Sequence, residues 1–121
     1  PHSLPAMLKS YRIQEKVKSV GFDFSTKRTA FDKILEEITE FHNEIRNNNI
    51  EKATEEFGDV LFSLIGYAQR IGINSVNALE KTNKKFINRF SKLEKIIQQE
   101  KKNISDYSTD ELESFWNCAK E

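Results

Sequence analysis

One cysteine, Cys118, and two histidines, His2 and His42, are all that 121 residues contain of either type. A single thiol closes no internal disulfide and leaves no CxxC pair for redox chemistry or for zinc, which points to a reducing compartment, the cytoplasm. With so little imidazole, a Ser-His-Asp triad or a His-rich metal site is hard to assemble, so any catalysis has to rest on carboxylates, lysines and arginines. No apolar run approaches the roughly 18 residues of a membrane span. Charge of one sign is missing too. The 19 Lys+Arg balance 19 Asp+Glu, which argues against a protein that coats nucleic acid or an acidic membrane. The chain opens at Pro1 without a Met, a signal segment or a targeting motif, and is read as trimmed from something longer.

What is present is charge and apolar periodicity: 31% of residues are charged and 37% hydrophobic. The length suits a single domain over residues 1–121, small enough that dimerisation would add usefully to its buried surface. Only four glycines and two prolines interrupt the chain, and between them apolar residues recur at steps of three and four, the pattern of an all-α protein. Ser3 ahead of Leu4-Pro5 reads as a cap, and a first helix runs from there to about Val20, closed by Gly21. A second spans about Lys27 to Asn47 with Phe31, Ile34, Leu35, Ile38, Phe41 and Ile45 as its buried stripe, ended by Asn47-Asn48-Asn49. A third carries Ala53, Phe57, Val60, Leu61, Leu64, Ile65, Ala68 and Ile71 up to Gly72. Gly58 inside it costs about 1 kcal/mol relative to Ala, which suggests close packing there. Asn74 or Ser75 opens a long fourth helix through Leu79, Phe86, Phe90, Leu93 and Ile97. Ser108-Thr109-Asp110-Glu111 is a capping box for a short fifth with Leu112, Phe115 and Trp116. Short connections between such helices imply a bundle of four to five.

Charge is segregated. From Glu36 to Asp59 there are eight acids against Arg46 and Lys52, whereas from Leu79 to Lys102 eight bases face three acids. Within the acidic stretch, Glu36-Glu37-x-x-Glu40 and Glu56-x-x-Asp59 each hold carboxylates three residues apart. On a helix that step separates side chains by about 60° and roughly 4.5 Å along the axis, so both can aim at one point. If the second and third helices pack antiparallel, Glu37 and Glu40 face Glu56 and Asp59. Two like charges 4 Å apart repel by roughly 4 kcal/mol at an effective dielectric of 20, so a converging set wants a cation. All-oxygen donors suit Mg²⁺ or Mn²⁺ rather than zinc or copper. A di-iron bundle site needs Glu-x-x-His pairs, which are missing. Such acidic pairs also occur as solvated helix faces in a chain this charged, and the spacing alone accommodates either reading. The same holds for Lys85 and Arg89, four residues apart on one face, and for Trp116 and Lys120, one turn apart in the last helix. Phe86 and Phe90 fall on the apolar stripe and are read as core.

Taken in order, these blocks resemble the MazG family of nucleoside triphosphate pyrophosphohydrolases. The family's EExxE followed by ExxD is matched by Glu36-Glu37-Ile38-Thr39-Glu40 and Glu56-Phe57-Gly58-Asp59. Ser3-Leu4-Pro5-Ala6, Gln14-Glu15-Lys16 and Val20-Gly21-Phe22-Asp23-Phe24 are similar to its opening segment, Asn83-x-Lys85-Phe86-x-x-Arg89-Phe90 to its basic block, and Trp116 with Lys120 to its ending. The likeness runs from Leu4 to Lys120. One departure is Phe24, where members often carry Trp. Many members hold two copies of the domain, and the Ser3-Leu4-Pro5-Ala6 opening resembles the start of the second copy.

The resemblance implies a MazG-like helical bundle acting as a homodimer. It implies hydrolysis of a nucleoside triphosphate to monophosphate and pyrophosphate, with Mg²⁺, or Mn²⁺ in its place, held by Glu37, Glu40, Glu56 and Asp59. Glu36 is assigned to orienting water. Lys85 and Arg89 are expected on the triphosphate, Trp116 on the base or over the pocket, Lys120 and Lys16 on phosphate, and Asn83 in an orienting role. Two alternatives stand beside it: a binding class, a catalytically silent or accessory dimerisation domain, and, within nucleotide hydrolysis, a related all-α pyrophosphohydrolase acting on dUTP or phosphoribosyl-ATP.

Overall fold

The computed structural model describes residues 5–22 and 27–120, with backbone alone at 27–29. Among the described residues every regular element is helical: α1 (Ala6–Ser19), α2 (Lys27–Arg46), α3 (Ile50–Arg70), α4 (Ser75–Gln99) and α5 (Thr109–Ala119), with one 3₁₀ turn (Ile104–Asp106) ahead of α5. The all-α expectation is met. Ser3, expected as the first cap, and Asp23-Phe24 lie outside the described residues, and Pro5 holds the position before α1. The chain divides between Ala78 and Leu79 into two compact units.

Local chemistry explains where the helices stop. Gly21 has φ +88° and Gly72 φ +83°, the left-handed conformation that an L side chain resists and glycine does not. After α1, the Phe22 amide donates to the Val17 carbonyl and the Gly21 amide to Lys18; after α3, Ile73 donates to Ala68 and Gly72 to Gln69. These paired bonds satisfy carbonyls that a helix end otherwise leaves open. Asn48 does the same for α2 at φ +55°, with the Asn49 amide reaching back to Glu44. Asn49 then opens α3, its side chain accepting from the Lys52 amide at 3.2 Å. The turn between α2 and α3 is therefore three residues long, each with a hydrogen-bonding duty.

So short a turn forces α2 and α3 into an antiparallel hairpin, and ring contacts fix the register. Phe31 meets Tyr67 with centroids 5.8 Å apart, and Phe41 meets Phe57 at 5.4 Å. Ile34 on α2 and Ala53, Val60 and Ile65 on α3 are buried, each larger side chain contributing about 1.5–3 kcal/mol. α1 lies on α3 through two reciprocal amide bonds. Gln14 Nε2 donates to the Phe62 carbonyl at 3.0 Å, and Gln69 Nε2 to the Tyr11 carbonyl at 3.4 Å. Gly66 makes room for the first, since a Cβ there would collide with the Gln14 amide oxygen. Gly58, by contrast, has open space where a Cβ would sit, so the expectation of close packing at that position is not met.

The apolar stripes are only partly buried. Phe31, Leu35, Ile38 and Ile45 on α2 remain 44–49% exposed, and Phe57, Leu61 and Leu64 on α3, with Ile71 just past its end, are exposed as well. A two-helix hairpin has one inner seam, and a stripe wider than that seam keeps an open face.

In the second unit, Leu93 and Ile97 of α4 and Ala119 of α5 are buried. Tyr107 joins the end of α4 to α5: its hydroxyl donates to the Glu100 carboxylate, and its ring meets Phe115 edge-on at 5.2 Å with the Lys102 ammonium 5.6 Å from its centroid. The carboxylate bond, followed by burial, pushes the Tyr107 phenol up to about 12. Ser108 caps α5 as expected, its hydroxyl accepting from the Glu111 amide at 3.1 Å while the Glu111 carboxylate accepts from the Ser108 amide at 3.0 Å. The Ser108 amide first, and then the Ser108 hydroxyl beside it, hold the Glu111 carboxyl below the usual carboxylate range.

Candidate metal centre

The antiparallel register of α2 and α3 brings their acids together. One carboxylate oxygen from each of Glu37, Glu56 and Asp59 lies within 4.8 Å of the others. Glu37 is buried, 6% exposed, Glu56 is half-buried and Asp59 open to solvent. Glu40 stands outside this triad of atoms but near enough to both Glu37 and Glu56 to act on their charge. Glu36, one residue before Glu37, points its charge to solvent.

The electrostatics of the cluster are uneven. Lys33, one turn before Glu37 on α2, places its ammonium 2.9 Å from Glu37 Oε1 and 3.7 Å from Glu36 Oε1. That bond holds the Glu37 carboxyl below its ordinary value despite burial, and the same contact raises the Lys33 ammonium. Glu56 goes the other way, pushed up to about 6 by burial first and then by Glu40, Asp59 and Glu37 around it.

Two oxygens test whether a hard cation fits. Glu37 Oε2 and Glu56 Oε2 are buried with no hydrogen-bond partner among the described residues. A buried carboxylate oxygen without a donor is costly, and two of them within one all-oxygen triad offer donors of the type Mg²⁺ or Mn²⁺ accepts. The residues fit the ion. Lys33 did not stand out in the sequence, because Lys-x-x-x-Glu is an ordinary helix-surface pair; its partner's burial is what distinguishes it, and that follows from tertiary packing.

The basic candidates belong to the second unit. Lys85 is exposed and Arg89 half-buried on α4. Phe86 between them is 56% exposed, which corrects its reading as core: its ring meets Trp116 of α5 at 5.1 Å and Phe90 at 6.1 Å, yet more than half of the residue stays open. Trp116 is thus engaged by Phe86 and half-buried, one turn from an exposed Lys120 whose amide closes α5 on the Trp116 carbonyl. Asn83 on α4 and, in the first unit, Lys16 on α1 are exposed.

A separate cavity of about 620 Å³ opens between α1, α3 and the start of α2, walled by Ile13, Val17, Phe62 and Tyr67, with Lys33 on its border. Among the described residues no helix is long and apolar enough to cross a membrane.

Comparison with known proteins agrees with this geometry. The MazG nucleotide pyrophosphohydrolase domain matches residues 25–94, which takes in α2, α3 and the Lys85–Arg89 stretch of α4. The nucleoside triphosphate pyrophosphohydrolase of Escherichia coli (strain K12) is 34% identical over 122 residues, covering 99% of this chain and 46% of that protein. The nucleoside triphosphate pyrophosphohydrolase/pyrophosphatase MazG of Thermotoga maritima is 32% identical over 117 residues, covering 97% of this chain and 45% of that protein. The chain spans a little under half the length of these relatives. A domain match over most of the helical hairpin and α4, with likeness along nearly the whole chain, makes this protein a member of the MazG nucleotide pyrophosphohydrolase domain family.

Proposed function

We propose that this chain hydrolyses nucleoside triphosphates to the monophosphate and pyrophosphate, with Mg²⁺ held by Glu37, Glu40, Glu56 and Asp59 and with Mn²⁺ able to replace it. The observation that carries this reading is the convergence of Glu37, Glu56 and Asp59 at the α2–α3 seam, two of them with buried, unpartnered oxygens. The names of the two relatives supply the reaction class. A silent or accessory domain has no need to bring three carboxylates together at one seam.

The ion, when bound, would offset charge on phosphate oxygens and lower the pKa of a coordinated water. Glu36 would orient the attacking water, whose oxygen bonds to the α-phosphorus as the bond from that phosphorus to the bridging oxygen breaks; pyrophosphate leaves with that oxygen and the water's proton passes to solvent. Lys85 and Arg89 take the triphosphate, whose roughly four negative charges call for cations and for the two-pronged grip of a guanidinium. Trp116 covers the base, Lys120 and Lys16 reach phosphate oxygens, and Asn83 orients the chain of phosphates. Residues 1–121 act as one domain, in the cytoplasm and as a homodimer, with the open face of α2 and α3 at Leu35, Ile38, Phe57 and Leu61 supplying the apolar surface a second copy would cover. The house-cleaning of nucleotide pools is the role that suits this chemistry.

Product analysis tests the proposal. Incubation with each common nucleoside triphosphate in Mg²⁺ is expected to yield monophosphate and pyrophosphate, and none in a chelator. Nucleoside diphosphate and phosphate as products, or no product from a folded chain, would overturn it.

A further inference from the structure

Within the carboxylate cluster one positive charge is already in place. The Lys33 ammonium sits 2.9 Å from Glu37 Oε1, so the innermost carboxylate of the triad gives one oxygen to a lysine and keeps the other buried among its fellow acids. An i, i+4 Lys–Glu pair on a helix surface is ordinary and needs no function. This pair differs because its two members live in different surroundings. The Glu37 side chain is 8% exposed and that of Lys33 53% exposed. The carboxylate is fixed by the seam it is packed into, whereas the ammonium sits on a flexible stem at the border of the α1–α3 cavity and of solvent.

We propose that Lys33 is the resident counter-ion of the carboxylate triad, and that divalent metal binds by cation exchange against it. The inference rests on the metal-site reading above and concerns how that site is loaded. Before the metal arrives, Lys33 offsets part of the mutual repulsion among Glu37, Glu40, Glu56 and Asp59 and holds the Glu37 carboxylate in place at 2.9 Å. When the metal takes Glu37, the ammonium either withdraws toward the cavity and solvent or stays on the outer oxygen as a positive neighbour of the ion. Both outcomes weaken metal binding, the first by competition and the second by repulsion. The sign of the effect is therefore the same in either geometry: removing the charge tightens the metal. Its half-exposed position places the interaction near the dielectric of water, where a unit charge one carboxylate away from a divalent ion changes its affinity on the order of ten-fold.

Mn²⁺ titration of the substrate-free chain, followed by electron paramagnetic resonance at pH 8 where the carboxylates are ionised, decides the matter. Lys33→Met is expected to bind Mn²⁺ about ten-fold more tightly than wild type, and Lys33→Arg, which keeps the charge, to stay within about two-fold. Lys18→Met, which removes the same charge from the α1 side of the cavity, is expected to change affinity by less than about two-fold. Circular dichroism on each variant confirms that the helices are intact. Equal affinity for wild type and Lys33→Met, weaker binding by Lys33→Met, or an equal gain in Lys18→Met would each overturn the exchange while leaving the metal site standing. Absence of Mn²⁺ binding in every chain would remove the metal site itself, and the exchange with it.

Discussion

The two compact units of this chain handle charge in opposite ways. In the first, acids that repel one another are drawn to one seam, because α2 and α3 are joined by a three-residue turn and locked by ring contacts and buried aliphatic residues. In the second, bases are strung along a single long helix in solvent, at Lys81, Lys84, Lys85, Lys92 and Lys95, where each is hydrated and costs the fold little. Concentrated like charge is an unstable arrangement that packing can impose and a cation can relieve. Dispersed charge is stable as it stands and is available to a polyanion.

Replacing Glu56 with Gln breaks the acidic side of this contrast and carries the largest expected effect. Turnover should fall by at least about a thousand-fold with helical content unchanged, since a neutral amide offers the metal a far weaker ligand. The same variant should be more stable than wild type in a chelator, and the pH dependence of that gain follows from the shift. Glu56 has its folded value raised from 4.5 to about 6, so the proton it holds stabilises the fold below about 4.5 and that contribution is lost as pH rises through 6. The amide that Glu56→Gln introduces does not titrate. The melting-temperature difference between variant and wild type, measured without metal, should therefore widen from pH 4.5 to about 6 and level off above. A difference that stays flat across that window would mean that Glu56 is neither buried nor crowded by its neighbouring acids in solution.

On the basic side the expected effect is smaller and of another kind. If Arg89 holds phosphate as proposed, Arg89→Ala should raise KM by about ten- to a hundred-fold with kcat changed only a few-fold, because its role would be to bind substrate rather than to carry the reaction. Steady-state kinetics with a single triphosphate separates the two parameters. A fall in kcat at unchanged KM would move Arg89 from holding substrate to stabilising the transition state, and would erase the division of labour between the two units.

How much of this was legible beforehand depended on range. Helix ends at Gly21, Asn47-Asn48-Asn49, Gly72 and Ser108 are local chemistry, and the sequence carries them openly. The ExxE and ExxD spacings likewise announced two acidic faces. What spacing could not say was which apolar residues of each stripe would be covered: Ile34 is buried while Phe31 and Leu35, its neighbours on the same face, are not, since that depends on the width of a seam formed with another helix. Gly58 and Phe86 were misread for the same reason, one assigned to a close contact and the other to a core that tertiary packing does not provide. Lys33 went unnoticed because its importance is borrowed from the burial of Glu37, which no local pattern encodes.

The smallest predicted effect probes whether the basic unit depends on its own capping chemistry as the acidic unit depends on its turn. Ser108→Ala deletes the hydroxyl that accepts from the Glu111 amide and weakens the reciprocal bond that the Ser108 amide donates to the Glu111 carboxylate, a loss of about 1 kcal/mol. The first turn of α5 should fray, and Trp116, held against Phe86 two turns further on, should become more mobile. Thermal melting should fall by a few degrees, and Trp116, the single tryptophan of the chain, reports the local change directly through its fluorescence. Metal affinity should stay at the wild-type value, because the carboxylates are positioned by α2 and α3. A change in Mn²⁺ affinity in Ser108→Ala would show that the acidic seam leans on α5, and the two units would then have to be treated as one electrostatic system.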